Sequence, residues 1–332
     1  MTVYVGVVTY NSAKDLPGCF EGLQKQTFSA INIRVWDNAS VDGTLEWLSE
    51  NASNVPVYMS EQNLGFGRGH NRLLRAIDLT AGDCYLTLNP DVRLDSEYIA
   101  RLINALEQHD ASWGTGKLLK MDIEGNPTGE IYSVGHAILR DGYFFNIGYG
   151  MQDDGQFDEG REVFGAPGAS ALYSAELIES ISQDGEFFDE QMFMYGEDTD
   201  VDWRARNRGW KCWYEPRAVA HHRGSEPGSD MKVEAISSRY LSVIKNVPSA
   251  RLITCNLPVM VAHAATRILV SPRAGLRLLG LVSRGVRITI EKRRASQPGG
   301  TDLKKWLRWS DSQPSLQPKS IGGRIRAARK SG

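Results

Sequence analysis

The sequence predicts an α/β protein whose mostly parallel central sheet is flanked by helices. Short β-rich apolar runs alternate with segments of helical periodicity through the first third of the chain, which is the pattern of βαβ units. Polar clusters follow three of these runs, and 41% of the 332 residues are hydrophobic, enough for a substantial core. Ligands of such sheets bind at the carboxyl ends of the strands.

The first half of the chain supports this class element by element. VYVGVVTY is a short apolar strand, and the segment after it places Leu16, Phe20 and Leu23 at helical spacing. The chain then alternates between the strand INIRVWDNAS, the helix VDGTLEWLSEN, the strand VPVYMS, the helix GRGHNRLLRAIDL, the strand DCYLTLNPDV and the helix SEYIARLINALEQ.

The second half gives weaker signals. Residues 113–165 are strand-like and rich in glycine, without clear periodicity. We expect ligand specificity to depend on this segment and on the loop before Gly196. Beyond residue 165 the sequence predicts the strand GASALYS, the helix AELIES, the strand KCWYEP and a helix over residues 231–246.

Charge divides the chain unevenly. Residues 249–332 carry 17 basic and 3 acidic side chains, whereas residues 1–248 carry 21 and 37. We therefore place a boundary at Pro248, between a catalytic domain (1–248) and a basic, amphipathic helical C-terminal region (249–332) that is partly disordered. The basic region predicts an anionic partner, either a lipid surface or nucleic acid.

A helix over about Arg273–Arg294 has the composition of a membrane-surface helix. Its arginines fall on one face of the helix, and Leu, Val and Ile side chains cover the remaining surface. This distribution suits an anionic membrane surface. Packing of the apolar face on the catalytic domain is an equal alternative. The apolar stretch Leu252–Val270 is interrupted by polar residues and predicts no spanning helix. RRASQPGGTD and the last twenty residues predict loop or disorder.

The cysteines and the N-terminus favour a cytoplasmic setting. Cys19, Cys84, Cys212 and Cys255 lie far apart, with neither CxxC nor metal-site spacing, as expected for free thiols in a reducing compartment. The first residues run directly into a strand, so the sequence predicts no signal peptide.

Three strand ends carry candidate ligand-binding side chains. These are Thr9-Tyr10-Asn11, Asp37 and Asn89-Pro90-Asp91. A carboxylate such as Asp91, with a nearby histidine, could hold Mg²⁺ or Mn²⁺ against a diphosphate, although Pro-Asp is also an ordinary turn. The loop NLGFGRGHN is neither a dinucleotide fingerprint nor a P-loop.

The stretch YGEDTDVDWRARNRGW holds four acids within six positions. The spacing pairs Asp200 with Arg204 and Asp202 with Arg206 on a helix surface, each an i,i+4 acid-to-base pair. Glu197 and Asp198 fall in the first turn, where the helix dipole favours acids. The helix explains this acidity without assigning chemistry to either residue.

Taken together, the segments resemble the family 2 glycosyltransferases of the GT-A fold, a Rossmann-like architecture, especially bacterial rhamnosyltransferase-like members. The ordered set that carries the resemblance covers about residues 3–245 and consists of VVTYNSAKDLPGCFEGLQKQ, VWDNASVDGT, NLGFGRGHNRLL, TLNPDVRL, GASALYS and FFDEQMFMYGEDTDVDWRARNRGWKCWYEPRAVAHHRGS. The C-terminal region lies outside these motifs.

The resemblance implies roles for individual residues. Asn89-Pro90-Asp91 corresponds to the DxD element with Asn in first place, so Asp91 and His221 would bind Mn²⁺ or Mg²⁺, and His222 is a neighbour easily confused with His221. Asp198 would be the catalytic base, with Glu197 on the acceptor side. The nucleotide-sugar contacts would be Thr9, Tyr10, Asn11, Asp37, Asn63, Asn71 and Asn89.

We therefore expect an inverting, metal-dependent glycosyltransferase. Its donor would be a nucleotide-diphosphate sugar, possibly of rhamnose, and its acceptor a glycan or lipid-linked glycan in cell-surface polysaccharide synthesis. The basic region would hold it on the inner face of the membrane. A sugar nucleotidyltransferase lacks its triphosphate loop here, and the basic region has few aromatic residues for nucleic acid.

Overall fold

The computed structural model describes residues 1–139, 142, 144–224, 229–296 and 305–306. A ten-stranded mixed sheet lies at its centre, with the main strand order β10-β12-β6-β11-β4-β1-β2-β3; β5 pairs with β12 and β7 with β6. The strands are β1 (Val3–Thr9), β2 (Ile31–Asp37), β3 (Val57–Met59), β4 (Cys84–Leu88), β5 (Val92–Leu94), β6 (Trp113–Met121), β7 (Pro127–Ser133), β8 (His136–Ile138), β9 (Phe144–Asn146), β10 (Arg161–Val163), β11 (Ser170–Ser174) and β12 (Cys212–His222).

Helices cover the sheet and continue beyond it. They are α1 (Leu16–Gln24), α2 (Thr44–Asn51), α3 (Phe66–Arg75), α4 (Tyr98–Gln108), α5 (Ala175–Ile181), α6 (Glu197–Asn207), α7 (Ser229–Asn246), α8 (Ser249–Arg251), α9 (Leu257–Val270) and α10 (Pro272–Arg293). A π-helical turn, Leu252–Asn256, joins α8 to α9. This arrangement confirms the predicted α/β class with helices around a central sheet.

The N-terminal half of the sheet is parallel, as predicted. β1 pairs in parallel with β2 and with β4, and β2 pairs in parallel with β3. Val3, Val5 and Val7 share one face of β1 and have no exposed surface, and Gly6 on the opposite face is also buried, as expected for a central strand. The parallel register sets Thr9 opposite Asp37, so both strands end at one edge of the sheet.

Antiparallel strands complete the other half. β11 runs antiparallel to both β4 and β6, while β12 returns parallel to β6. The small hairpin of β8 and β9 stands apart from the main sheet, and His136 bridges to Gly165. These elements bring the predicted Gly-rich middle over the carboxyl edge of β1 and β4.

The C-terminal helices pack against the preceding part of the chain. Leu278 of α10 is fully buried and shares a hydrophobic cluster with Val243 and Ile244 of α7 and with Trp203 of α6. The packing alternative for α10 is thus realised on one of its faces. Leu276, Leu279, Ile288 and Ile290 remain exposed on the same helix.

The segment Ser249–Val270 differs from the expectation at one point. Within the described part of the chain it is the one helix long and apolar enough to cross a membrane, by length and composition. Only 17% of its most apolar window is buried inside the protein. The segments predicted as loop or disorder lie largely outside the described residues.

Candidate active site

A cleft of about 510 Å³ opens at the carboxyl ends of β1 and β4. We call it the central cleft. One side is formed by residues following these strands and by the end of β12; the other is formed by the start of α6 and by the hairpin of β8 and β9. Of the predicted site residues, those lining it are Thr9, Tyr10, Asn11, Asn63, Asn89, Asp91, Glu197 and Asp198.

Asp91 and His222 meet on the strand side of the central cleft. The Nε2 atom of His222 lies 3.2 Å from Oδ1 of Asp91, and the backbone N–H of Gly224 donates to Oδ2 at 3.1 Å. Burial raises the pKa of Asp91, but the charge and hydrogen bond of His222 outweigh it, leaving that pKa below its usual value. Asp91 is therefore ionised at neutral pH.

The histidine that faces Asp91 is His222, and not the predicted His221. Neighbouring residues of a strand point to opposite faces, so only one of the two histidines can face Asp91. His221 lies instead near Asp95, at 3.6 Å, and does not line the central cleft. Burial lowers the pKa of His221.

Arg223 and Asp15 were not among the predicted site residues, yet both line the central cleft. One guanidinium nitrogen of Arg223 donates to Oδ2 of Asp15 at 2.7 Å. Arg223 follows His222 directly, and the sequence signal for it was only this adjacency. It places a fixed positive charge close to Asp91.

The strand-end residues divide into lining and supporting groups. Asp37 is fully buried: its carboxylate accepts hydrogen bonds from the hydroxyls of Thr9, at 2.7 Å, and Ser40, at 2.6 Å. Asp37 does not line the central cleft, contrary to the direct nucleotide contact expected of it. It holds Thr9, which does line the cleft.

Asn71 also lies away from the central cleft. Its buried amide accepts from the backbone N–H groups of Phe187 and Phe188 and donates to the Phe188 carbonyl oxygen. The expected role in closing the nucleotide site is therefore replaced by a structural one, tying α3 to the loop before α6. Asn63, in contrast, lines the cleft and accepts from the N–H of Gly65 at 2.9 Å.

The start of α6 carries Asp198 into the central cleft. Tyr195 and Gly196 both have positive φ, 64° and 108°, in the turn that precedes the helix. Glycine adopts this conformation readily, but for a non-glycine residue such as Tyr195 it is costly, and such residues cluster at functional sites. Oδ2 of Asp198 accepts from the N–H of Gly168 at 3.1 Å and Oδ1 from that of Thr199 at 2.7 Å, which fixes the carboxylate.

Glu197 is a buried acid beside Asp198. Burial, with the neighbouring Asp198 charge, raises the pKa of Glu197 to about 8. Its Oε2 atom is buried and has no hydrogen-bond partner among the described residues. At neutral pH Glu197 is therefore mostly protonated, able to donate a hydrogen bond within the central cleft.

Asp200 and Asp202 do not form the predicted surface pairs. Asp200 does pair with Arg204, at 2.8 Å, but both are buried, and Lys245 donates to the same carboxylate. Asp202 does not pair with Arg206, which instead contacts Glu162 at 2.6 Å. The surface prediction failed because α5, α7 and the sheet enclose α6 on several sides.

Comparison with known sequences decides the family. Residues 4–182, more than half of the chain, match the family Glycosyl transferase family 2. The chain belongs to this family. It is a glycosyltransferase, and the resemblance seen in its motifs is confirmed.

Curated relatives place this glycosyltransferase near rhamnosyltransferases. It is 26% identical over 247 residues to the N-acetylglucosaminyl-diphospho-decaprenol L-rhamnosyltransferase of Mycobacterium tuberculosis, covering 68% of this chain and 78% of that one. It is 25% identical to the low-salt glycan biosynthesis hexosyltransferase Agl10 of Haloferax volcanii, over 60% of each chain.

Solved structures support the GT-A fold. GalNAc-T7, crystallised with UDP, GalNAc and Mn²⁺, superposes with a TM-score of 0.60 at 14% identity, over 75% of this chain and 48% of that one. Staphylococcus aureus TarS gives 0.52 at 18% identity, over 94% of this glycosyltransferase and 55% of TarS. At these identities the likeness concerns the fold alone.

Proposed function

We propose that the protein is an inverting, metal-dependent glycosyltransferase that uses a nucleotide-diphosphate sugar. The observation that carries this proposal is the arrangement of the central cleft. A carboxylate–imidazole pair, Asp91 and His222, lies on its strand side, and a separate fixed carboxylate, Asp198, lies at the start of α6. One cleft thus offers groups for a leaving diphosphate and for an attacking hydroxyl.

The nucleotide end of the donor would lie along the ends of β1 and β2. Thr9, Tyr10 and Asn11 line the cleft there, and Tyr10 leaves half of its surface exposed, where it can stack on a base. Asp37 supports this edge from beneath through Thr9. Arg223 would contact the diphosphate with its guanidinium, the side chain best suited to phosphate oxygens.

Asp91 and His222 are the residues that would hold Mn²⁺ or Mg²⁺. The Oδ1 atom of Asp91 and the Nε2 atom of His222 are 3.2 Å apart, close enough for both to bind one ion. No group of three or more His, Cys, Asp or Glu side chains among the described residues could hold the ion alone, so the diphosphate would complete its coordination. A bound ion would supply positive charge to the leaving group.

Asp198 would be the general base. An attacking hydroxyl must lose a proton on the face of the sugar opposite the leaving group, and one carboxylate there gives a single displacement with inversion. The hydrogen bonds from Gly168 and Thr199 hold the Asp198 carboxylate in one orientation. Protonated Glu197, beside it, could donate to an acceptor oxygen.

The acceptor would be a lipid-linked glycan at the cytoplasmic face of the membrane. The mycobacterial relative is named for a diphospho-decaprenol acceptor and for L-rhamnose. The C-terminal helices of this protein expose large apolar side chains, including Leu269 at 84% and Val270 at 80%, close to the exposed arginine Arg273. That combination favours an anionic lipid surface.

A panel of sugar nucleotides, supplied with Mn²⁺, Mg²⁺ or EDTA, tests the reaction. We expect release of a nucleoside diphosphate from one donor, dependent on the divalent ion, and a product whose anomeric configuration is inverted by NMR. Retained anomeric configuration would contradict the inverting mechanism, and full activity in EDTA would contradict the dependence on a metal ion. Pyrophosphate release from a nucleoside triphosphate would instead indicate a nucleotidyltransferase.

Vesicle binding tests the membrane contact. Replacing Leu269, Val270 and Leu276 by serine should reduce co-sedimentation with phosphatidylglycerol vesicles without lowering Tm. The matched control is Ile123→Ser, an apolar residue 64% exposed on the catalytic domain. Equal binding by the triple variant and the control would remove the proposed lipid contact.

A further inference from the structure

A buried histidine from the Gly-rich middle reaches the predicted base. His136, on β8, is only 5% exposed, yet its ring lines the central cleft. Its Nδ1 atom lies 2.8 Å from Oδ2 of Asp202, and its Nε2 atom lies 3.9 Å from Oδ2 of Asp198. The imidazole is therefore placed between two carboxylates of α6, one turn of helix apart.

Asp202 is built to clamp this ring. Besides His136, its carboxylate accepts from the indole N–H of Trp113, at 3.1 Å, and from the backbone N–H of Ala166, at 3.2 Å. Both groups can only donate, so they favour the ionised form of Asp202 although its burial raises its pKa. An added Cβ at Gly165 would lie 1.8 Å from the Asp202 carboxyl carbon, so glycine is required for this close approach.

The same contacts favour the charged form of His136. Burial lowers the pKa of His136, but the hydrogen bond to Asp202 and the charges of Asp198 and Asp202 outweigh it, so that pKa lies above its usual value. The side chain of Asn146, on β9, also hydrogen bonds the ring. Both ring nitrogens thus have acceptors, as an imidazolium needs.

Other titratable groups near His136 and Asp198 do not supply a positive charge in place of the imidazolium. Glu197 is mostly protonated at neutral pH, and burial raises the pKa values of Tyr132 and Tyr173, leaving both phenols neutral. Cys212 is likewise a neutral buried thiol, with its pKa raised by burial. Arg206 is paired with Glu162. Among the described residues, the ion-pair contact of the Asp198 carboxylate is the one with His136, at 3.9 Å.

We propose that His136, clamped by Asp202, is a positioning residue that places a positive charge beside the Asp198 carboxylate and keeps that carboxylate aimed into the central cleft. The inference rests on the proposed base role of Asp198. It gives the Gly-rich middle a part in the reaction, since the hairpin of β8 and β9 supplies both His136 and Asn146. No atom of His136 needs to touch the sugar.

The pH dependence of kcat/KM for nucleoside diphosphate release tests the proposal. Removing an opposite charge at this distance should move the acid limb of His136→Gln up by about one pH unit. Activity should approach that of the wild type at high pH, and donor binding, followed by thermal shift, should be unchanged. Asp202→Asn, which keeps the histidine and removes its clamp, should move the limb in the same direction.

His70→Gln is the matched control. His70 is fully buried and bonded to Tyr85 at 2.8 Å, with no carboxylate partner among its described contacts, so its replacement should leave the acid limb in place. An unmoved limb in folded His136→Gln overturns the inference, and if that variant does not fold, an unmoved limb in Asp202→Asn does so. Normal sugar transfer by Asp198→Asn would contradict the proposed base role itself. If Asp198→Asn is inactive but the acid limbs of His136→Gln and Asp202→Asn do not move, only the role of His136 is contradicted.

Discussion

The imidazole of His222 faces the carboxylate of Asp91 across 3.2 Å, whereas His221 points to the other face of the same strand. The pair His222→Ala and His221→Ala therefore provides a matched comparison. We expect His222→Ala to weaken the activating affinity for Mn²⁺ by about tenfold or more and to lower transfer, because one of the two proposed protein ligands is lost. His221→Ala should behave as the wild type; equal loss in both variants would contradict the assignment.

The buried acid Glu197 predicts a stability that depends on pH. Its pKa is raised from the usual 4.5 to about 8 in the folded protein, so ionising it disfavours the folded state. The stability present at pH 4.5 is lost progressively as pH rises towards 8, by about 1.4 kcal/mol per pH unit at most.

Glu197→Gln removes this ionisation with little change of shape. We expect its Tm to equal that of the wild type at pH 5 and to exceed it at pH 8, as measured by differential scanning fluorimetry. A Tm difference that does not change with pH would contradict the buried protonated state of Glu197.

Lys245 lies outside the central cleft, but we expect it to be important to the stability of the fold. It lies 2.7 Å from Asp189 and 2.8 Å from Asp200, all three buried. Lys245→Met leaves two buried carboxylates short of a partner, and we expect a loss of about 3–5 kcal/mol in the free energy of unfolding.

A surface lysine gives the comparison. Lys25 pairs with Glu21, but both side chains are more than 60% exposed. Chemical denaturation of Lys25→Met should give a midpoint within error of the wild type. Equal midpoints for the Lys245 and Lys25 variants would show that the buried network contributes nothing.

Gly165→Ala should displace Asp202. The new Cβ would lie 1.8 Å from the carboxyl carbon of Asp202, so either the segment around Gly165 or α6 must shift. We expect a lower Tm and reduced transfer, with an acid limb moved as in Asp202→Asn. Gly280→Ala is the control, since nothing lies within 4 Å of its added Cβ; a fully active, stable Gly165→Ala would contradict the close packing.

The contacts of α10 also constrain how the C-terminal region can be tested. Lys292 lies 2.7 Å from Glu186 and 2.8 Å from Asp189, and Leu278 is buried against α7. Deleting everything after Pro248 would therefore remove part of the protein core and of the Lys245 network. Point substitutions on exposed positions separate membrane contact from folding.

Local pattern predicted the first half of the fold well. The apolar run around Val3, Val5 and Val7 predicted a buried strand. Thr9 and Asp91 were predicted as strand-end residues because each follows such an apolar run. The family resemblance then singled out Asp198, which the helix dipole alone did not. These signals depend on neighbours in sequence.

The remaining site residues depend on contacts distant in sequence. Only the register of β12 against β5 and β6 decides which of His221 and His222 faces Asp91. The helical spacing predicted an ion pair between Asp202 and Arg206. In the fold, Asp202 instead contacts His136, 66 positions away in the sequence. His136 itself lies in a short strand without periodicity, so no local pattern could identify it.

The central claim is that Asp198 removes the proton from the acceptor hydroxyl. The most direct measurement is the initial rate of sugar transfer by Asp198→Asn at saturating donor, acceptor and Mn²⁺, beside donor binding by thermal shift. We predict a rate lower by about 10²–10⁴-fold with donor binding intact, the range that a general base contributes. Near-wild-type transfer by Asp198→Asn would contradict the claim.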